Sequence, residues 1–334
     1  MRAGSVRQEN GGQENGVQGN GGQGNGGRRC RAVASRLLHL RLLEAAVCLA
    51  IACGSVATAA AAPAPAVPSL FVVSASPRGS SANLFAVNPG RALRRLTTSK
   101  AEQTDPALSP DGSEVAYVQA ASPNCLSCPS TIWVANADGS NAHALTHSQQ
   151  GVVDYDQNPS WSPDGTQIVF SRSTVSSYEL YTVAASGGTP HDLFVPGVSP
   201  AWGPTRIAYV APPPESAGPG ALWTISPDGT DPTKITTSYI VSPTWSSKGA
   251  LAYLDQAPEA KPILVVLTGS ASHQYQLPFA EASSLSWSPD DRELAIVARS
   301  SATAPADVYT ITDAGKTLAR LTTNIGALGA TVGD

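Results

Sequence analysis

The residues best suited to chemistry form one polar cluster, Asp154-Tyr155-Asp156-Gln157-Asn158-Pro159. Alternate side chains of an extended strand point to the same face, so Asp154, Asp156 and Asn158 would present their oxygens together. Hard cations such as Ca²⁺ are held by oxygens of this kind, although the Gly and distant Glu of an EF-hand loop do not follow. Three interpretations stay open for the cluster: hydrogen bonding at a turn or sheet edge, contact with a ligand or partner, and Ca²⁺ at Asp154 and Asp156.

The sequence offers no second constellation of reactive groups. It contains neither a Gly-x-Ser-x-Gly nucleophile elbow nor a His-Glu-x-x-His zinc motif. The five histidines are scattered along the chain. We therefore expect no catalytic residue, no metal centre and, apart from the Ca²⁺ interpretation, no cofactor.

The polar cluster belongs to a repeat with a period of about 42 residues. Each unit has a turn phrase, a short β run, a second β run with an aromatic residue, a polar turn and a Leu-Thr pair. The turn phrase reads Leu108-Ser109-Pro110-Asp111-Gly112 and Trp161-Ser162-Pro163-Asp164-Gly165, and it returns altered at 202–204, 245–249 and 287–291. Several strands per unit at this period are typical of β-propeller blades.

The β run after the turn phrase recurs six times, and so does the next run. The chain enters on the second strand of a unit, at Phe71, and ends with a potential first strand near 326–332. Pairing of these two ends would leave no unpaired sheet edge. We therefore predict an all-β, six-bladed propeller of four-stranded antiparallel blades, closed by the N- and C-terminal strands in one blade.

The turn phrase itself has a structural explanation. Pro sets φ at the second turn position, Asp accepts backbone N–H bonds and Gly adopts the left-handed conformation. We therefore interpret the following as turn residues: Asp111, Gly112, Asp164, Gly165 and Asp290.

The pattern and spacing of these units resemble the TolB-like, WD-type propeller repeats of bacterial envelope proteins, over residues 70 to 334. TolB proteins carry a further domain ahead of the propeller and peptidase relatives carry a hydrolase domain, and we expect neither here. TolB-like repeats often place an Asp near the channel, just before the Pro of the blade. The resemblance therefore implies a partner or ligand site at the channel mouth, with Asp105, Asp154, Tyr155, Asp156, Asn158 and Tyr239.

The N-terminal region reads as a targeting segment. Residues 1–36 are low in complexity and end in arginines, 37–60 form a signal peptide or membrane anchor, 61–68 an Ala/Pro linker, and 69–334 the propeller. Cleavage at Ala57-Thr58-Ala59, a lipoprotein at Cys53 and an uncleaved anchor stay open as alternatives. Each of them exports the propeller from the cytoplasm, with membrane contact only through this segment.

The cysteines of the repeat region and the net charge of the chain limit the kinds of partner that we expect. Cys125 and Cys128 are the two cysteines of the repeat region, and a disulfide between them is the prediction, with a redox pair or zinc as alternatives. Residues 1–36 carry six Arg and two Glu, so the chain's net charge of −4 leaves −8 for the remainder. An acidic propeller has no basic stripe for nucleic acid.

These observations favour an exported, monomeric, non-catalytic binding module that docks an envelope protein or a cell-wall component at the channel mouth. Two alternatives stay open. One is a propeller enzyme, a hydrolase or lyase, acting on glycans. The other is a membrane-tethered sensor or scaffold domain.

Overall fold

A computed structural model describes residues 70–76, 81–87, 93–120, 128–147, 154–174, 177–213, 219–312 and 317–333. All of them belong to the unit Ala62–Asp334. The targeting segment predicted within residues 1–68 lies outside the described residues, and so does Cys125.

The described residues form strands joined by turns. No helix among them is long and apolar enough to cross a membrane. The strands are β1 (Leu70–Ala75), β2 (Asn83–Val87), β3 (Arg94–Arg95), β4 (Gln103–Leu108), β5 (Glu114–Ala120), β6 (Ser130–Asn136), β7 (His143–Ala144), β8 (Tyr155–Trp161), β9 (Gln167–Ser173), β10 (Tyr178–Ala184), β11 (His191–Pro196), β12 (Val198–Trp202), β13 (Ile207–Ala211), β14 (Gly220–Ile225), β15 (Thr233–Ser238), β16 (Ile240–Trp245), β17 (Leu251–Asp255), β18 (Ile263–Thr268), β19 (Ala271–Gln276), β20 (Glu281–Trp287), β21 (Glu293–Arg299), β22 (Asp307–Thr312), β23 (Thr317–Arg320) and β24 (Ala327–Gly333).

Consecutive strands pair in antiparallel sets of four. The orders β12-β13-β14-β15, β16-β17-β18-β19 and β20-β21-β22-β23 show this directly. The sets β4–β7 and β8–β11 follow the same order and are joined by a parallel bridge between Ser130 and Tyr155. The remaining sheet has the order β24-β1-β2-β3, with Phe71 of β1 opposite Val332 of β24. The predicted all-β class and the four-stranded antiparallel sheets are confirmed.

The second strand of each set is buried on both faces, and this explains its continuous apolar sequence. β5, β9, β13, β17 and β21 carry uninterrupted runs of four or five buried residues. An aromatic residue on the second strand faces an aromatic partner on the third in several sets. Tyr117 is paired with Trp133, and Phe170 with Tyr181, their ring centroids 6.5 and 5.9 Å apart. Buried clusters join these strands from sheet to sheet, as when Val210 of β13 packs with Leu251 and Tyr253 of β17, so neighbouring sheets pack face to face.

The Leu-Thr pair fixes the outer part of a set. The hydroxyls of Thr97, Thr146 and Thr322 accept the backbone N–H of Leu84, Ile132 and Val308 at 3.0, 2.9 and 2.9 Å. Each bond satisfies a strand N–H that the short outer strand leaves without a ladder partner. The repeated threonine is therefore a structural residue.

We call β24 and the first strand of each of the other five sets the inner strands. Five of these strands share an irregularity that positions the candidate site. β4, β8, β12, β16 and β20 each shift register against the next strand, as a β-bulge does. A residue with positive φ occupies each shift: Asp105 (48°), Asn158 (52°), Ser199 (49°), Ser242 (51°) and Ser284 (54°). Bulges re-aim side chains locally. On each of these strands, one short polar side chain therefore departs from the regular alternation of side chains between the two faces of the sheet.

Candidate functional site

A cavity of about 540 Å³ runs between the inner strands. Residues from β4, β8, β12, β16, β20 and β24 all line it. Each of these strands contacts its neighbours in that order, and β24 contacts both β20 and β4. We call this space the channel cavity. Its volume is in the range of cavities that hold small molecules.

The five positive-φ residues all line the channel cavity, and we call them the polar ring: Asp105, Asn158, Ser199, Ser242 and Ser284. Pro follows directly in four of the five cases, whereas Leu285 follows Ser284. At the corresponding level of β24 lies Gly329, where a Cβ would be 3.3 Å from Cδ of Pro106. A side chain there would press on the neighbouring strand, so the ring carries its polar groups on the other inner strands.

Hydrogen bonds connect members of the ring from strand to strand. Asn158 Nδ2 donates to Oδ2 of Asp105 at 3.4 Å, and the backbone N–H of Asn158 also bonds that carboxylate. In the same way the backbone N–H of Ser284 donates to Oγ of Ser242 at 2.9 Å. Ser284 Oγ then accepts the N–H of Ala330 at 2.9 Å. The ring is therefore part of the contact between adjacent sheets as well as a lining of the cavity.

Asp105 is the one ionisable side chain among the described residues that line the channel cavity. Its side chain keeps some accessible surface because it faces the cavity, yet protein surrounds it. This burial raises the pKa of Asp105 above its ordinary value, and the hydrogen bond from Asn158 opposes the shift. No Lys, Arg or His of the described part of the chain forms an ion pair with it. A carboxylate largely surrounded by protein and without a cation beside it is an uncommon arrangement.

The rest of the cavity lining combines aromatic, proline and serine residues. Trp161, Trp202, Trp245 and Trp287 belong to it together with the prolines of the turn phrase. Trp161 Nε1 donates to the carbonyl of Ala107 on the preceding inner strand at 2.9 Å. A Cβ on Gly203 would lie 2.5 Å from Cγ of Trp245, so Gly203 leaves room for that ring. Trp161 and Trp245 therefore pack their strands onto the preceding inner strand or the residue that follows it.

Asp154 and Asp156 lie elsewhere, in a buried ion-pair network. Arg172 bonds Asp156 through Nε to Oδ1 at 2.6 Å and through Nη2 to Oδ2 at 2.9 Å. Its Nη1 is 3.9 Å from Oδ2 of Asp154. Thr146 Oγ1 donates to Oδ2 of Asp156 at 2.6 Å. Burial disfavours the charge of Arg172, but the hydrogen bond and charge of Asp156 outweigh it and raise the pKa of Arg172.

This network bears on the Ca²⁺ interpretation. Both carboxylate oxygens of Asp156 already accept hydrogen bonds from Arg172, so a cation would have to displace that guanidinium. Within the described ranges no three His, Cys, Asp or Glu side chains come together as ligands for a metal. Calcium at Asp154 and Asp156 stays a prediction that this geometry does not favour.

The other predicted residues lie in separate places. Tyr155 is half-buried at the bridge between β6 and β8, and Tyr239, 37% exposed, lies between β15 and β16. Neither lines the channel cavity. Cys128 is disulfide-bonded. Its pairing with Cys125 stays a prediction, since Cys125 is outside the described residues.

The turn residues have the local bonds that their sequence suggested. Asp111 accepts the hydroxyl of Ser109 at 2.6 Å and the N–H of Ser113 at 3.1 Å. Asp164 and Asp290 accept the same pair of bonds in their own turns. Gly112 and Gly165 have φ of 69° and 70°. Asp291 stands at the glycine position of its turn with φ of 59°.

Comparison with solved structures places this arrangement among known folds. TolB from Acinetobacter baumannii superposes with a TM-score of 0.66 at 15% identity, over 80% of this chain and 67% of that one. A protein described as putative TolB from Agrobacterium tumefaciens gives 0.60 at 14% identity, over 79% and 92%. The fold is that of a TolB-like β-propeller. Identities this low establish the fold alone.

Sequence comparison finds short matches. An uncharacterized peptidase, YuxL of Bacillus subtilis, is 34% identical over 106 residues, which are 30% of this chain. The Tol-Pal system protein TolB of Rhizorhabdus wittichii is 36% identical over 77 residues, which are 22% of this chain. Each match covers 16% of the length of the curated relative. No protein-family model matches the chain.

In this TolB-like propeller the structure brings Asp105 and Asn158 together, as two of the six predicted partner residues. It adds Ser199, Ser242 and Ser284, which the sequence analysis did not single out. Their signal was available, because Ser199 and Ser242 precede the Pro of their units just as Asp105 and Asn158 do. Serine is frequent in loops and turns, so this position was visible only through the alignment of the repeats.

Proposed function

We propose that this chain is an exported, non-catalytic binding module that docks a protein partner of the cell envelope at the channel cavity. The observation that carries the proposal is the cavity itself, which the inner strands line with the polar ring and with tryptophans and prolines. Such a combination of apolar surface with a few positioned polar groups is typical of binding sites.

We further propose that the described sheets are six blades and that β24 completes the blade of β1, β2 and β3. The pairing of β1 with β24 supports this, as does the contact of β24 with both β20 and β4. Closure of this kind ties the two ends of the propeller together and holds the inner strands around the cavity. A rigid scaffold keeps the site preformed for a partner.

The proposed partner class rests on two observations. One curated relative carries the name of a Tol-Pal system protein, and the fold is TolB-like. In addition, Leu328, a lining residue of the cavity, has 42% of its surface exposed. An exposed aliphatic side chain at a cavity lined in part by tryptophans and prolines is suited to contact with another protein.

Export is a proposal based on the basic and then apolar order of residues 28–62. Intact-mass measurement of the protein purified from its host tests it. A mature chain beginning near Ala60 is the expected result for a cleaved signal. A full-length, unmodified chain recovered from the cytoplasm would overturn the proposal.

Site-specific photo-cross-linking in the native host tests the docking site. The photoreactive residue replaces Leu328 in one variant and Phe194 in the other. Phe194 is a matched control, because it is 81% exposed but lies on β11, the outermost strand of its sheet. We expect a discrete cross-linked protein with the probe at position 328 and none at 194. Capture at 194 alone, or at neither position, would contradict the proposal.

A further inference from the structure

The charge of the channel cavity is unusual for a partner site. Asp105 is its single ionisable group among the described lining residues, and no cation of the described chain pairs with it. By contrast, the fully buried Asp156 and Asp307 are paired with Arg172 and Arg320. A carboxylate kept unpaired in a cavity is open to a cation from outside.

The groups around Asp105 define what that cation can be. The ring adds the hydroxyls of Ser199 and Ser242 and the amide of Asn158 to the same cavity lining. Asn158 bonds Oδ2 of Asp105 with its side chain. A planar guanidinium binds best when both oxygens of a carboxylate are free to accept its two parallel N–H groups. An ammonium is compact and carries its three donors on one nitrogen, so a single carboxylate oxygen is enough to bind it.

The same lining argues against a divalent metal. Ca²⁺ takes six to eight oxygen ligands and is usually held by several carboxylates, whereas the described lining provides one. A singly charged ammonium balances the single charge of Asp105. Tryptophans and prolines of the lining would then contact the carbon chain that carries the ammonium.

We propose that the channel cavity is a primary-ammonium site, in which Asp105 binds the amine of an extended polypeptide segment. This inference rests on the docking function proposed above and names the chemistry of the group that enters the cavity. The ammonium comes from a lysine side chain or from a free amino terminus. Both sources present the same three donors on a narrow chain.

The test measures binding of small probes to the full-length protein by calorimetry at neutral pH. The primary probe is n-butylammonium, with 1-butanol and n-butylguanidinium as an uncharged and a planar comparison. Asp105→Asn removes the charge and keeps the shape, and Asp228→Asn removes an exposed carboxylate from the turn between β14 and β15. A thermal midpoint for Asp105→Asn at or above that of the wild type confirms that the variant is folded.

We expect the wild type to bind n-butylammonium and Asp105→Asn to bind it with an affinity that is lower by about tenfold or more. Asp228→Asn should bind it with the affinity of the wild type. 1-Butanol should not bind measurably. Equal affinity of the wild type and Asp105→Asn for n-butylammonium would overturn the inference. Tighter binding of n-butylguanidinium, or tighter binding of Ca²⁺ that depends on Asp105, would also overturn it.

Two peptides then distinguish the sources of the ammonium. One is an N-acetylated tetrapeptide amide with a lysine, and the other is a lysine-free tetrapeptide amide with a free amino terminus. If binding of the first peptide depends on Asp105, the ammonium comes from a lysine side chain. If binding of the second peptide depends on Asp105, the ammonium comes from an amino terminus. If neither peptide binds in a way that depends on Asp105, the assignment to a polypeptide amine is contradicted.

The cross-linking result at Leu328 separates this inference from the docking function. A partner captured equally by the wild type and Asp105→Asn, together with no binding of the ammonium probes, would leave docking in place and overturn the ammonium site. Asp105-dependent probe binding without any captured partner would support the ammonium site and contradict docking.

Discussion

Arg172 of β9 holds both carboxylate oxygens of Asp156 on β8, with Nε 2.6 Å from Oδ1 and Nη2 2.9 Å from Oδ2. The guanidinium also lies over the rings of Tyr181 and Phe170, with Cζ 4.9 and 5.5 Å from their centroids. Asp156 is therefore held in a buried ion pair within its sheet, although its sequence context suggested a ligand-binding residue. Of the three aspartates predicted at the site, Asp105 is the one that forms no ion pair with the described residues.

Substitution of Asp156 by alanine should strongly destabilise the protein. It leaves the Arg172 guanidinium buried without its partner, which typically costs about 3–5 kcal/mol of unfolding free energy. Urea unfolding of the purified protein measures this loss. The double variant Asp156→Ala/Arg172→Met should recover part of it, because both charges are then removed.

The control for this pair is Arg292→Ala. Arg292 lies 3.6 Å from Asp290 with 79% of its side chain exposed. Exposed pairs contribute about 0–1 kcal/mol. A loss of stability in Asp156→Ala no larger than that in Arg292→Ala would contradict the structural role of the Asp156–Arg172 pair.

Replacing Asp105 with asparagine should stabilise the protein at neutral pH. Burial raises the pKa of Asp105 in the folded state above the ordinary value of 3.8. As the pH rises through 3.8 the unfolded chain ionises first, so the folded state loses stability until the pH exceeds the raised pKa. Thermal unfolding of both proteins at pH 7 and at pH 3 checks this. The advantage of Asp105→Asn should be present at pH 7 and diminish at pH 3, and a variant less stable than the wild type at pH 7 would contradict it.

Much of the fold could be predicted from the sequence because turn chemistry and strand period are local. The turn residues Asp111 and Gly112 mark the entry to a buried strand, and the predicted run Val115–Val118 lies inside β5. The predicted final strand near 326–332 corresponds to β24, Ala327–Gly333. Each of these signals lies within a few residues of the element that it predicts.

The candidate site was only partly predictable because its geometry depends on contacts between strands. Asp105 and Asn158 are 53 residues apart and meet only when adjacent inner strands pack together. The ion pair of Asp156 depends on the cross-strand register that places Arg172 opposite it. Without that register, the alternation of Asp154 and Asp156 resembled a cation site.

The turn carboxylate of Asp111 should titrate far below an ordinary aspartate. The hydroxyl of Ser109 and then the N–H and hydroxyl of Ser113 lower the pKa of Asp111 to about 2. The stability that this turn contributes is therefore present above pH 3.8 and is lost as the pH falls through about 2. Carbon-detected NMR titration should give this midpoint for the Asp111 carboxyl and a higher one in Ser113→Ala. A midpoint near 3.8 in the wild type would contradict the bonding pattern.

Introducing a methyl group at Gly203 should disturb the packing between two inner strands. A Cβ there would lie 2.5 Å from Cγ of Trp245, so the ring or the backbone has to move. Overpacking of this kind costs about 1–3 kcal/mol. A double-mutant cycle of Gly203→Ala with Trp245→Phe, measured by urea unfolding, should show that the smaller ring reduces the cost. Independent, additive effects would contradict direct contact between the two residues.

Hydrogen–deuterium exchange of the full-length protein, with and without its cross-link-identified partner, tests the central claim most directly. We predict slower exchange on binding in the inner strands that carry the polar ring, such as β4 and β16, and little change in the outer strands β11 and β15. Protection confined to the outer strands, with unchanged exchange around the channel cavity, would contradict the assignment of that cavity as the docking site.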